Sequence, residues 1–91
     1  MNNNEKDTFI IMTINAYTHL KALSRQQDLT QADRLNAAVD DGILRMAHML
    51  NSDLCDELKE FIQAHYPDTK EPISKVQNRI YFLFKQEKGW K

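Results

Sequence analysis

Apolar residues recur along this chain at steps of three and four, and no stretch of any length alternates as a strand would. That periodicity predicts helices. The first helix is expected over residues 7–27, with Asp7 or Thr8 capping its start. At about 100° per residue, Phe9, Met12, Ala16, Leu20 and Leu23 share one stripe, and Ile10, Ile14 and Tyr17 form a second beside it. Together the two stripes cover more than half of the helix circumference, which exceeds what a helix packed on a single side requires. Either this helix sits centrally or part of it is covered by another chain. Ile10, Ile14 and Tyr17 are accordingly the expected homo-oligomer interface.

Asp28-Leu29-Thr30 interrupts the pattern, and Thr30 with Asp33 has the spacing of a capping box. A second helix is expected over 30–50, with Ala32, Leu35, Val39, Ile43, Met46, Ala47 and Leu50 as its core line. Gly42 lies at the edge of that line, where glycine costs about 1 kcal/mol of helix propensity relative to alanine. A close crossing by a neighbouring helix would account for it, or a kink at Asp41-Gly42. Asn51-Ser52-Asp53 reads as a stop and a new cap. A third helix over 53–65 gathers Leu54, Cys55, Leu58, Phe61 and Ile62. Both prolines fall in the loop Tyr66–Pro72. A fourth helix over 74–88, capped by Ser74, is expected to bury Ile73, Val76, Ile80, Leu83 and Phe84. Gly89 suits a left-handed stop, which would fold Trp90 back onto Phe84 or Lys85. Residues 1–6 are expected to be a loose start, and 7–91 a single all-α domain, a compact bundle of four helices.

Composition agrees. Two glycines and two prolines in 91 residues are too few for a turn-rich fold, and 42% hydrophobic with 27% charged residues is ordinary for a globular chain. The only cysteine, Cys55, cannot form an internal disulfide. No apolar run approaches the length of a membrane span, and the first residues lack a signal peptide's pattern, so a cytoplasmic protein is expected.

Charge is unevenly placed. Residues 28–65 hold eight acidic and three basic side chains, whereas 70–91 hold six basic and two acidic. Opposite the core line of the second helix, Asp33 and Asp40 flank Leu44, an apolar anchor among carboxylates suited to a partner protein. Exposed leucines are common, so a plain solvated face is the simpler alternative. On the fourth helix Lys75, Arg79, Tyr81, Lys85 and Lys88 interleave cations with aromatic rings, as phosphate attraction and base stacking would ask. Rim aromatics are also routine in a bundle, and the acidic residues could pair with these cations internally.

Catalytic and metal chemistry find little support. Asp33 and Asp40 lie two turns apart, roughly 10 Å, too far to share one ion unaided. His19, His48 and His65 fall in three helices with no paired spacing, and Cys55 is flanked by apolar positions, as a core thiol would be. No metal, cofactor or catalytic residue is expected. An enzyme would need a pocket where Cys55 or a histidine meets a carboxylate.

Leu23-Ser24-Arg25-Gln26-Gln27-Asp28-Leu29-Thr30-Gln31-Ala32-Asp33 resembles the opening of repressor-type helix-turn-helix domains, in which Leu-Thr-Gln begins the second helix. That resemblance implies a short helix, a tight turn and a recognition helix. The pattern instead continues unbroken through Arg34, Ala38 and Arg45, so no recognition helix can be placed. The expectation is a non-enzymatic helical protein acting through protein–protein contact as a regulator, adaptor or inhibitor, associating with itself and with another protein. A nucleic-acid-binding regulator using the fourth helix is the alternative.

Overall fold

Asn2 decides where the chain first coils. Its side chain accepts the Glu5 amide at 2.8 Å, capping a helix that begins at Asn3 rather than near Asp7. In the computed structural model, which describes residues 1–66 and 70–90, four helices follow: α1 (Asn3–Ser24), α2 (Gln31–Leu50), α3 (Ser52–His65) and α4 (Ile73–Lys88). They form an all-α four-helix bundle. The start expected to be loose is therefore mostly α1's first turn, and α1 stops at Ser24, short of Gln27.

Local signals set the other boundaries. Thr30 and Asp33 complete the capping box in both directions, at 3.1 and 3.0 Å. α2 then runs without a break through Gly42 to Leu50, as one helix with no helix-turn-helix. Asn51 caps both the end of α2 and the start of α3, where its side chain accepts the Leu54 amide. Ser74 lies inside α4 instead of capping it; the Pro72 carbonyl accepts the first free amides. Of the loop expected over Tyr66–Pro72, Pro67, Asp68 and Thr69 lie outside the described residues. Gly89 adopts φ +70°, the left-handed stop, and Trp90 returns to donate its amide to the Lys85 carbonyl and to set its ring edge-on against Phe84 at 5.9 Å.

α1 is central and touches each of the other three helices. This resolves the width of its apolar surface. Phe9, Ile10 and Ile14 join Leu54, Cys55, Leu58 and Ile62 of α3 and Val76, Ile80 and Phe84 of α4 in one core. Ile10 and Ile14 have essentially no solvent exposure, so they are core residues of this chain and not an oligomer interface. Tyr17 is half-buried beside them, and its hydroxyl accepts from Gln63 of α3 at 2.6 Å. Ile73 is only half-buried and Leu83 exposed, at the margin of the α4 stripe.

α4 packs on α1 and α3 and leaves α2 alone. α2 therefore has one side to bury, against α1 and α3, and no element covers its other side. Thr13 of α1 lies near this junction, fully buried, with its hydroxyl oxygen lacking any hydrogen-bond partner among the described residues. A buried unmade hydrogen bond costs about 1–3 kcal/mol. Thr13→Val keeps the branched shape and removes that cost. It is expected to stabilise the fold by about 1 kcal/mol, raising the thermal midpoint by roughly 4–8 °C. Unfolding followed by circular dichroism reads the shift, and a lower midpoint would mean that the hydroxyl is satisfied in solution.

Candidate functional site: the outward face of α2

The seven-residue apolar line of α2 was the expected core seam, yet the structure turns most of it to solvent. Leu35 is 62% exposed, Val39 61%, Met46 61% and Leu50 72%, with Met49 also exposed beside them. The helix is rolled by about a quarter turn and buries the neighbouring side, which keeps only Ala47 and part of Ile43 from that line. Leu44 and Ala47 are its two buried residues. The one-residue link through Asn51 fixes α2 against α3, and there the Cys55 thiol approaches the Leu44 carbonyl at 4.0 Å.

The acidic partner face is corrected by the same roll. Leu44 is in the interior, so it anchors nothing outside. The Asp40 carboxylate, 15% exposed, accepts from Nδ1 of His19 across the α1–α2 junction. Asp33 is held in the capping box. The signal for this was present in Leu44 itself. An apolar side chain among Ala37, Ala47 and a carboxylate suits a helix side that packs closely on a neighbour.

Between the first half of α1 and the second half of α2 opens an apolar groove of about 450 Å³, walled by Phe9, Met12, Ile43, Met46 and Leu50 with Thr13 among its lining. Methionine side chains are flexible and polarizable, and such grooves adapt to apolar knobs. Gly42 sits on the outward side, and a Cβ placed there would meet nothing within 4 Å. Among the described residues no neighbouring helix approaches Gly42, and α2 runs through it as one uninterrupted helix.

The basic face of α4 is largely occupied. Lys85 reaches Asp7 of α1 at 3.1 Å and the Tyr81 hydroxyl at 3.2 Å, and Tyr81 itself donates to Asp7. The Tyr81 hydroxyl first, and the Asp7 carboxylate after it, hold the Lys85 ammonium above the ordinary lysine range. Lys88 pairs with Glu57 of α3, and Arg79 with Glu71. Lys75 alone of the five makes no such contact among the described residues. The acidic middle and basic tail thus meet partly within the fold, through Glu57 and Lys88.

Cys55 lies in the core, and burial pushes its thiol upward, with Lys59 opposing and Asp56 adding to the shift. An unexposed thiol held protonated is a poor nucleophile. His19 and Asp40 do meet at the edge of a hollow of about 380 Å³ that also includes Asn15 and Gln77. Among the described residues its lining holds no serine, cysteine, lysine or tyrosine. The pair joins α1 to α2. His48 faces Asp56 at 3.5 Å on the open surface, and His65 stacks on Phe61. Among the described residues no three histidine, cysteine or acidic side chains gather as a metal site would require. Among the described residues no helix is long and apolar enough to cross a membrane.

The fold and its surface thus define a small four-helix bundle whose most distinctive exposed feature is an apolar helix face. The chain matches no protein-family model, and comparison with curated proteins and with solved structures returns no significant relative.

Proposed function

We propose that this chain is a small non-enzymatic helical protein of the cytoplasm that acts through protein–protein contact as a homo-oligomer, with the outward face of α2 as the contact surface. One observation carries this: Leu35, Val39, Met46, Met49 and Leu50 stand exposed in a single row beside an apolar groove. Isolated exposed apolar residues are normal, whereas a continuous patch marks an interaction surface. The free thiol of Cys55 fits a reducing compartment. A regulator, adaptor or inhibitor built this way would present the same row to its own kind or to a target.

Sedimentation equilibrium from about 1 to 100 μM, the range of modest dimers, tests the proposal. A concentration-dependent mass is expected, insensitive to salt because the contact is apolar. A monomer throughout would remove the oligomer. The fluorescence of Trp90, which lies under Lys6 at 4.9 Å, supplies the contrast with nucleic-acid binding. It is expected to stay unchanged when short DNA or RNA is added at physiological salt, and a saturable, salt-sensitive change would favour the α4 surface instead.

A further inference from the structure

α1 carries threonine at positions 8, 13 and 18, and two of them settle their hydroxyls on their own helix. Thr8 donates to the Asn4 carbonyl at 2.9 Å, and Thr18 to the Ile14 carbonyl at 2.7 Å. That back-bond to the carbonyl four residues earlier is the ordinary recourse of a helical threonine. Thr18, fully buried, also accepts from Gln77 of α4 at 3.0 Å. Thr13 is equally buried, yet its hydroxyl bonds neither to the Phe9 carbonyl nor to any other group among the described residues. Thr13 also lies in the lining of the 450 Å³ apolar groove between α1 and α2. A few polar groups set in an apolar wall are how small-molecule sites orient a ligand.

The groove has a floor and a rim. Phe9, Thr13 and Ala47 are buried at the floor, whereas Asn4, Glu5 and Thr8 stand exposed at the rim. Met12 and Met46, both exposed, supply flexible walls that move aside for a ligand and give it access to the floor. The volume falls within the range of about 300–1,000 Å³ typical of small-molecule sites. Glu5 is the only charged side chain of the lining among the described residues, so an anionic ligand meets repulsion there.

We infer that this groove binds an uncharged small alcohol, with its alkyl or aromatic body against Phe9, Met12 and Met46 and its hydroxyl bonded to that of Thr13. The apolar body leaves water, which supplies the main favourable term. A hydroxyl both donates and accepts, so it completes Thr13 in either sense. The site lies within one subunit and goes beyond the contact surface proposed above. Met46 and Leu50 belong both to the groove and to the exposed row of α2, so the test separates the two.

Titration of the isotope-labelled full chain with octanol, followed by amide chemical shifts in NMR, tests the site. Saturable shifts centred on Phe9, Thr13 and Ala47 are expected, with a Kd below about 1 mM. Octanoate has the same tail and a negative charge, and is expected to bind at least roughly tenfold more weakly. Thr13→Val is expected to weaken octanol binding by roughly three- to tenfold, through loss of one hydrogen bond. That variant is expected to be at least as stable as the parent, so its weaker binding does not reflect unfolding. Val39→Glu, which lies outside the lining and is expected to be monomeric, should bind octanol as the parent does. Sedimentation of the same samples reports self-association separately. No saturable binding of octanol would overturn the site. Equal affinity in Thr13→Val, or for octanoate, would overturn the chemistry assigned to it. Binding lost in a folded, monomeric Val39→Glu would mean that a second copy completes the groove, overturning a site within one subunit.

Discussion

Val39→Glu, or Met46→Glu, is expected to convert the associated protein to a monomer while leaving its fold intact. Both side chains are more than half exposed in the isolated subunit, so a carboxylate there stays hydrated when the chain is alone. Substitutions at such positions change stability by about 0.5 kcal/mol at most, or roughly 2–4 °C in the midpoint. In the oligomer the same carboxylate would be taken from water without a partner, and a contact between identical chains introduces it in every copy. A loss of about 3 kcal/mol or more follows, at least two decades in Kd. Sedimentation over a concentration series measures the dissociation, and thermal unfolding checks the fold. Unaltered association in both variants would show that α2's outward face is not the contact.

The second large effect separates two phenylalanines two residues apart. Phe84→Ala is expected to destabilise the bundle by about 3–5 kcal/mol, and Phe82→Ala by about 0.5 kcal/mol or less. Phe84 is fully buried, edge-on to Phe61 at 5.2 Å and to Trp90 at 5.9 Å, so its removal opens a cavity between α3, α4 and the returning terminus. Phe82 is 67% exposed, with its ring edge-on to Tyr81 at 5.2 Å. For a domain of this size the first change lowers the midpoint by at least ~12 °C. Trp90 emission should also shift to the red in Phe84→Ala, because the ring it rests against is gone. Equal destabilisation by the two substitutions would contradict the placement of α4.

Most boundaries of the fold were legible because they depend on a few neighbouring atoms. Thr30 and Asp33 cap each other's amides within one turn, Asn51 caps α3 and Gly89 supplies the left-handed stop. None of these needs a distant residue. The failures are equally local in origin. Asn2 stands in a run of three asparagines in which sequence alone does not single out a cap, and the carbonyl of Pro72 takes the place that Ser74 offers. The stripes of α1 and α3, and the Val76–Ile80–Phe84 line of α4, were found because those helices bury their most apolar sides.

Hydrophobic periodicity by itself determined that this chain forms four helices, and which side of α1, α3 and α4 seeks the interior, though Met12 and Leu83 at the stripe margins stay exposed. It could not determine the roll of α2. That helix offers two sides that bury well: a long row of large apolar groups, and a narrower side with Ala37, Leu44 and Ala47 around Asp40. Within one chain the narrower side wins. The Asn51 link fixes α2 on α3, His19 takes the Asp40 carboxylate, and α4 is spent on α1 and α3. The same tertiary choices moved the apolar surface from Ile10 and Ile14, which the core absorbs, to Leu35, Val39, Met46 and Leu50, which it cannot reach. A helix pattern records how much surface must be covered. Only the placement of the other helices decides which part they cover.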